Sequence, residues 1–129
     1  MPEGSLKLKA QVMCGNETAM GPGKADLLGA IDREGSISAA GRALGMSYRR
    51  CWQLVDVMNR CWADRLVETA VGGGRDRGAR LTPLGQQMLT AYRVLEATLA
   101  SAAERDLAQL TTLLRAEPIP AGGHQVWDR

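Results

Sequence analysis

Apolar residues along this chain fall first at every second position, then at helical spacing, then briefly at strand spacing again. A long helical run closes the pattern. Leu6, Leu8, Ala10 and Val12 alternate with Lys7, Lys9 and Gln11, the period of a half-buried strand. Gly15-Asn16 is a turn signal, and Thr18 to Met20 is the expected return strand. After Gly21-Pro22-Gly23, residues Ala25 to Glu34 read as a helix with Leu27, Leu28 and Ile31 on its apolar stripe, closed by Gly35. Two short helices are expected between Gly35 and Asn59. Ser36 or Ser38 can cap the first, and Ala39, Ala40, Ala43 and Leu44 supply its helix-forming and apolar positions. Gly45 stops it, because a residue without a Cβ takes the left-handed conformation at little cost. Ser47 can then cap the second.

That second helix has two unlike faces. Cys51, Val55, Met58 and Trp62 share one stripe by their spacing of four, three and four. Arg49, Gln53, Asp56 and Arg60 share another, with Arg50 beside them. Beyond it, Leu66, Val67, Thr69 and Val71 have strand composition, Gly72 to Gly78 form a loop without an apolar residue, and Ala79 to Thr82 can return as a strand. A strand, a glycine loop and a strand after a helical motif make the wing of a winged helix. Thr82-Pro83 then opens a helix carrying Leu84, Met88, Tyr92, Leu95, Leu99, Ala102, Leu110 and Leu114 at helical spacings or their sums. It is expected to reach about Arg115, roughly 45–50 Å at the α-helical rise, with a break between Ala103 and Asp106 as the alternative.

So long a helix overshoots a small core. Its stripe of Leu84, Met88, Tyr92, Leu95 and Leu99 is expected to meet the same helix of a second chain. The alternative is that it folds back on its own domain. The expected class is mainly α with small β: an N-terminal β-hairpin (1–21), a winged helix-turn-helix (22–82), a long dimerisation helix (83–116) and a flexible tail (117–129) with Pro118, Pro120 and Gly122-Gly123.

Charge refines this picture. The net charge over 129 residues is only +2, but seven arginines meet four acids between Ser47 and Arg80, against three and three between Pro83 and Ala116. Positive charge gathered mid-chain suits a polyanion-binding surface. Arg49, Arg50 and Gln53 stand near a helix start, where arginine can donate two bonds to guanine and glutamine two to adenine. Ser36, Ser38, Ser47 and Tyr48 are candidate phosphate contacts at helix starts. Arg75 and Arg77 on the glycine loop, with Arg80 at its base, are candidates for the minor groove or the backbone. The alternative for the motif is a three-helix core whose arginines are only solvated.

Other chemistries find less support. Gly72 to Gly78 has no Gly-Lys-Ser/Thr and no helix directly after it, so a nucleotide loop is not expected. Cys14, Cys51 and Cys61 share no metal-ligand spacing, and His124 stands alone in the tail, so neither a metal nor a cofactor is expected. With no Ser-His-Asp set and no paired carboxylates beside a nucleophile, an enzyme is not expected either. An odd cysteine count, no apolar run long enough to span a bilayer and no secretion pattern predict a reduced, cytoplasmic protein without a membrane partner.

Taken together, Gly21-Pro22-Gly23-Lys24, Gly35-Ser36-Ile37-Ser38-Ala39-Ala40, Leu44-Gly45-Met46-Ser47-Tyr48-Arg49-Arg50, Trp52, Val55, Met58-Asn59, Leu66-Val67-Glu68, Gly72-Gly73-Gly74 and Leu81-Thr82-Pro83-Leu84-Gly85 carry a resemblance. The chain resembles the DNA-binding domain of ModE-type, molybdate-responsive transcription regulators, a LysR-like winged helix-turn-helix, from about Leu6 to Tyr92. The resemblance implies a homodimeric transcription factor on double-stranded, inverted-repeat DNA, with the second motif helix in the major groove. Longer family members carry a separate C-terminal molybdate module built of strands, so this sequence reads as the single-domain form without it. The wing also departs from the family in carrying Arg75-Asp76-Arg77, where more glycine is usual. A protein-interaction module on the same scaffold is the rival reading.

Overall fold

The computed structural model describes residues 5–70 and 78–122. Within them the chain is mostly helical with two small antiparallel sheets. The order is β1 (Val12–Cys14), β2 (Glu17–Met20), α1 (Pro22–Glu34), α2 (Ile37–Leu44), α3 (Tyr48–Cys61), β3 (Val67–Thr69), β4 (Ala79–Leu81) and α4 (Pro83–Thr111). β1 pairs only with β2, and β3 only with β4.

The N-terminal strand is shorter than its alternation suggests. Residues 5–11 form no ladder, and Leu6 and Leu8 are exposed. The physical reason is the partner: β2 ends at Met20, opposite Val12, and the chain then turns into α1 at Gly21-Pro22. A period of two marks a strand only where another strand supplies hydrogen bonds. α1 likewise begins three residues before Ala25, with Pro22 in its first turn, where a missing N–H costs little. Trp62 is not the last apolar residue of α3; it lies just past the helix end in extended backbone, and Leu54 takes the buried place beside Cys51, Val55 and Met58. Val71 lies outside the described residues.

The core gathers Leu27, Leu28 and Ile31 of α1, Ile37 and Ala40 of α2, the inner face of α3, Leu66, Val67, Leu81 and Tyr92. Among the described residues no polar or charged side chain is buried. Two glycines are required by close approach. A Cβ on Gly41 of α2 would stand 2.8 Å from the Met46 carbonyl oxygen and 2.9 Å from the Cys51 sulfur, so only glycine lets α2 and α3 close so tightly around their turn. A Cβ on Gly85 would meet the Leu66 carbonyl oxygen at 2.1 Å, which seats the start of α4 on the residue before β3. Thr82 completes that junction: its N–H donates to Leu66 O, its hydroxyl to Arg65 O at 2.6 Å, and its oxygen accepts from Gly85 N.

α4 runs unbroken past Ala103 to Asp106 and ends at Thr111, four residues before Arg115. At 29 residues it is about 44 Å long. Its near half docks on its own domain. Gln86 donates to Asp32, Arg93 pairs with Asp26 at 2.8 Å, and the Tyr92 hydroxyl donates to Ala10 O at 2.7 Å. Of the residues expected on a dimer seam, Tyr92 is buried in its own core and Leu84 and Met88 pack partly against it. Leu95 and Leu99 remain exposed, as do Leu110 and Leu114. The near half therefore folds back on the domain while the far half stays uncovered.

Candidate nucleic-acid interface

The site is built on the α2–α3 turn. Ser36, not Ser38, caps α2: its oxygen accepts from Ala39 N at 3.0 Å. Ser38 instead accepts from the Arg42 guanidinium at 2.9 Å, one turn along the same helix. α2 ends on Gly45 at φ 67°, the left-handed geometry glycine adopts without penalty. Ser47 then caps α3 by accepting from Arg50 N at 3.0 Å. A hydroxyl that accepts from a helix N–H still has its own proton to donate, so Ser36 and Ser47 can each serve the helix and an anion at once.

On the first turns of α3, Arg49, Arg50 and Gln53 are exposed. Their side chains have no hydrogen-bond or ion-pair partner among the described residues. Three other exposed arginines are ion-paired. Arg60 donates to Asp56 at 2.9 Å and lies 3.7 Å from Glu17. Arg80, directly across the ladder from Glu68, pairs with it at 2.9 Å. Arg93 bridges Asp26 and Glu96. The hydrogen bond to Asp56 leads the effects that push the Arg60 guanidinium further up, and those to Asp26 and Glu96 do the same for Arg93. Of the sequence-based site residues, then, Arg49, Arg50 and Gln53 are free on one face of one helix. Arg80 is exposed but ion-paired. Tyr48 is half-buried, edge-to-face with Trp52 at a centroid distance of 6.2 Å. Arg75 and Arg77 lie outside the described residues.

The structure adds one cation to this face that the residue pattern alone did not single out as a contact. Lys24, near the start of α1, lies close enough to Arg50 for their charges to repel. Burial first, and then Arg50, hold the Lys24 ammonium below the ordinary lysine range. Glu17 offsets part of this repulsion, and a bound polyanion would relieve more of it. Lys24 closes the Gly-Pro-Gly-Lys stretch, the one sequence signal that could have flagged it.

The base of the β3–β4 pair is tied to the α1–α2 corner: Ala79 N donates to Gly35 O at 2.8 Å, and Ala70 N to Gly78 O at 2.9 Å. The back of α3 is tied to β3 through Asn59. Its amide oxygen accepts from Leu66 N and Val67 N, and its NH2 donates to Val67 O, at 2.9–3.1 Å. Asn59 thus holds helix and strand together through all of its bonding directions but one. No group of three or more potential metal ligands occurs among the described residues, and no helix there is long and apolar enough to cross a membrane.

No family model matches the chain. Individual relatives do. The chain is 46% identical over 81 residues to the molybdenum-pterin-binding protein MopB of Rhodobacter capsulatus, covering 63% of this chain and 30% of that protein. It is 38% identical over 88 residues to the molybdenum transport protein ModE of Azotobacter vinelandii, covering 68% and 33%. It is also 38% identical over 74 residues to the DNA-binding transcriptional dual regulator ModE of Escherichia coli K12, covering 57% and 28%. The chain therefore spans about a third of the length of the relatives it matches. None of the three is named for a catalytic activity.

Proposed function

We propose that the chain is a sequence-specific DNA-binding regulator of transcription that acts as a homodimer, in the service of molybdenum homeostasis. In this reading α2 and α3 form the helix-turn-helix, α3 enters the major groove, and β3–β4 form the base of a wing. Arg49, Arg50 and Gln53 read base edges. Lys24, Ser36, Ser38, Ser47 and Tyr48 serve the phosphates. Arg80 exchanges Glu68 for a phosphate, an exchange that costs little because exposed ion pairs are weak. Arg75 and Arg77 keep their sequence-based assignment to the wing tip. The observation that carries the proposal is that Arg49, Arg50 and Gln53, with Lys24 near Arg50, have no side-chain partner among the described residues, whereas Arg60, Arg80 and Arg93 are ion-paired.

The dimer reading is supported by the far half of α4. An apolar groove of about 130 Å³, lined by Val12, Met20, Trp62, Met88, Ala91, Tyr92 and Leu95, runs into the exposed Leu95 and Leu99. A second copy of α4 would cover this continuous surface. The link to molybdenum rests on the names of the relatives alone.

Binding to an inverted-repeat duplex, with half-sites about 34–36 Å apart or a multiple of that, tests the reading. Affinity for the selected duplex is expected to fall steeply with salt, the mark of phosphate neutralisation, and to exceed that for scrambled duplex by at least about a thousandfold. A chain that shows no duplex binding at low salt would instead be a protein-interaction module using the same surface.

A further inference from the structure

We propose that Cys14 and Cys61 form a reversible disulfide, making the junction of the β1–β2 hairpin with the end of α3 a site of thiol oxidation. The geometry rests on three tethers around the pair. Cys14 faces Glu17 across the hairpin ladder. The Glu17 carboxylate lies 3.7 Å from the Arg60 guanidinium, on the residue before Cys61. Trp62, the residue after Cys61, donates its indole N–H to Ala19 O of β2 at 3.1 Å. Cys61 is thus held on both sides to the strand that pairs with Cys14, which makes the two thiols neighbours at this junction.

The two sulfurs differ in access. Cys14 is exposed and Cys61 half-buried, while Cys51 is buried in the core. Burial, and then the neighbouring Cys14 and Glu17, push the Cys61 thiol up. That assigns the steps. A Cys14 thiolate attacks one oxygen of a peroxide; the O–O bond breaks, and Cys14 becomes a sulfenic acid as the other oxygen leaves and becomes water. The Cys61 sulfur then attacks the Cys14 sulfur, the S–O bond breaks, and the departing hydroxide takes the Cys61 proton as a second water. Two thiols and one peroxide become one disulfide and two waters. A thiol reductant reverses the change.

The consequence is mechanical. The bond would staple the C-terminal end of α3 to the hairpin that lines the apolar groove. The inference stands apart from the DNA-binding reading, and its test uses no DNA.

The full chain is reduced, exposed to hydrogen peroxide, alkylated and digested without reductant. The expected product is an intrachain peptide joining Cys14 to Cys61, absent from Cys14→Ser and from Cys61→Ser but retained in Cys51→Ser. Because Cys14 is exposed, its serine variant is expected to fold normally. The unfolding midpoint of the oxidised protein is expected to rise by several degrees and to return on reduction, since the bond closes a long loop in the unfolded chain. Oxidation of Cys14 to sulfinic acid with Cys61 left free would overturn the proposal. So would disulfides that form only between chains, or only with Cys51.

Discussion

The two ends of α3 are made differently. At its start, Arg49, Arg50 and Gln53 are exposed, with no side-chain partner among the described residues. At its finish, Asn59 is bonded to Leu66 and Val67, Arg60 to Asp56 with Glu17 nearby, and Trp62, just beyond, to Ala19. One end is unpaired among the described residues and the other is fastened to the fold. A side chain already paired within the protein must break that pair to bind elsewhere, so unpaired cations bind a polyanion at lower cost. The fastened end supplies what the free end lacks: a fixed helix axis, so that arginines two and three residues past the cap arrive at a defined angle.

Substitutions at the two ends should therefore separate folding from binding. The largest effect is expected from Asn59→Ala. It strands the Leu66 and Val67 N–H groups and the Val67 carbonyl, and should lower stability by about 2–4 kcal/mol in denaturant titrations. The folded fraction should bind duplex nearly as before. Loss of binding without loss of stability would dissolve the distinction between the ends. Arg50→Ala should do the reverse, weakening duplex binding by about 1–3 kcal/mol with little change in unfolding. Relaxed preference at one base position marks Arg50 as a reader of sequence, whereas uniform weakening over all sequences marks a phosphate contact.

Lys24→Gln is the gentlest and most informative change. It should reduce the salt slope of binding by about one while leaving folding unharmed or slightly improved, because it removes repulsion with Arg50. The sign with pH follows from the lowered folded-state value. Between that value and the ordinary lysine range the unfolded chain holds more protons, so the stability of the parent protein should rise with pH across that alkaline window. The glutamine variant should lack this rise. A rise of equal size in both would trace it to a group other than Lys24.

The residue pattern determined the presence of the helices, the Ser47 cap and the polar face of α3 on its own. Helical spacing, a serine before each motif helix and glycine at the ends of α1 and α2 are local rules that need no distant partner, and Arg49, Arg50 and Gln53 could be read from them. Whatever depended on residues far apart in the chain was decided by the tertiary structure. The alternation from Leu6 to Val12 became a strand only where β2 could pair with it. Which of Ser36 and Ser38 capped α2 was set by the helix starting at Ile37, which leaves Ser38 inside it. Tyr92, written in the same stripe as Leu99, was buried because α1 and the N-terminal segment reach the near half of α4 and stop short of the far half. Packing also explained Gly41 and Gly85, whose missing side chains make room for Cys51 and for the Leu66 carbonyl. It likewise set Lys24 beside Arg50 and Cys14 beside Cys61, pairs separated by a full helix or more in sequence. Periodicity says which face of an element is apolar; only packing says what each face meets.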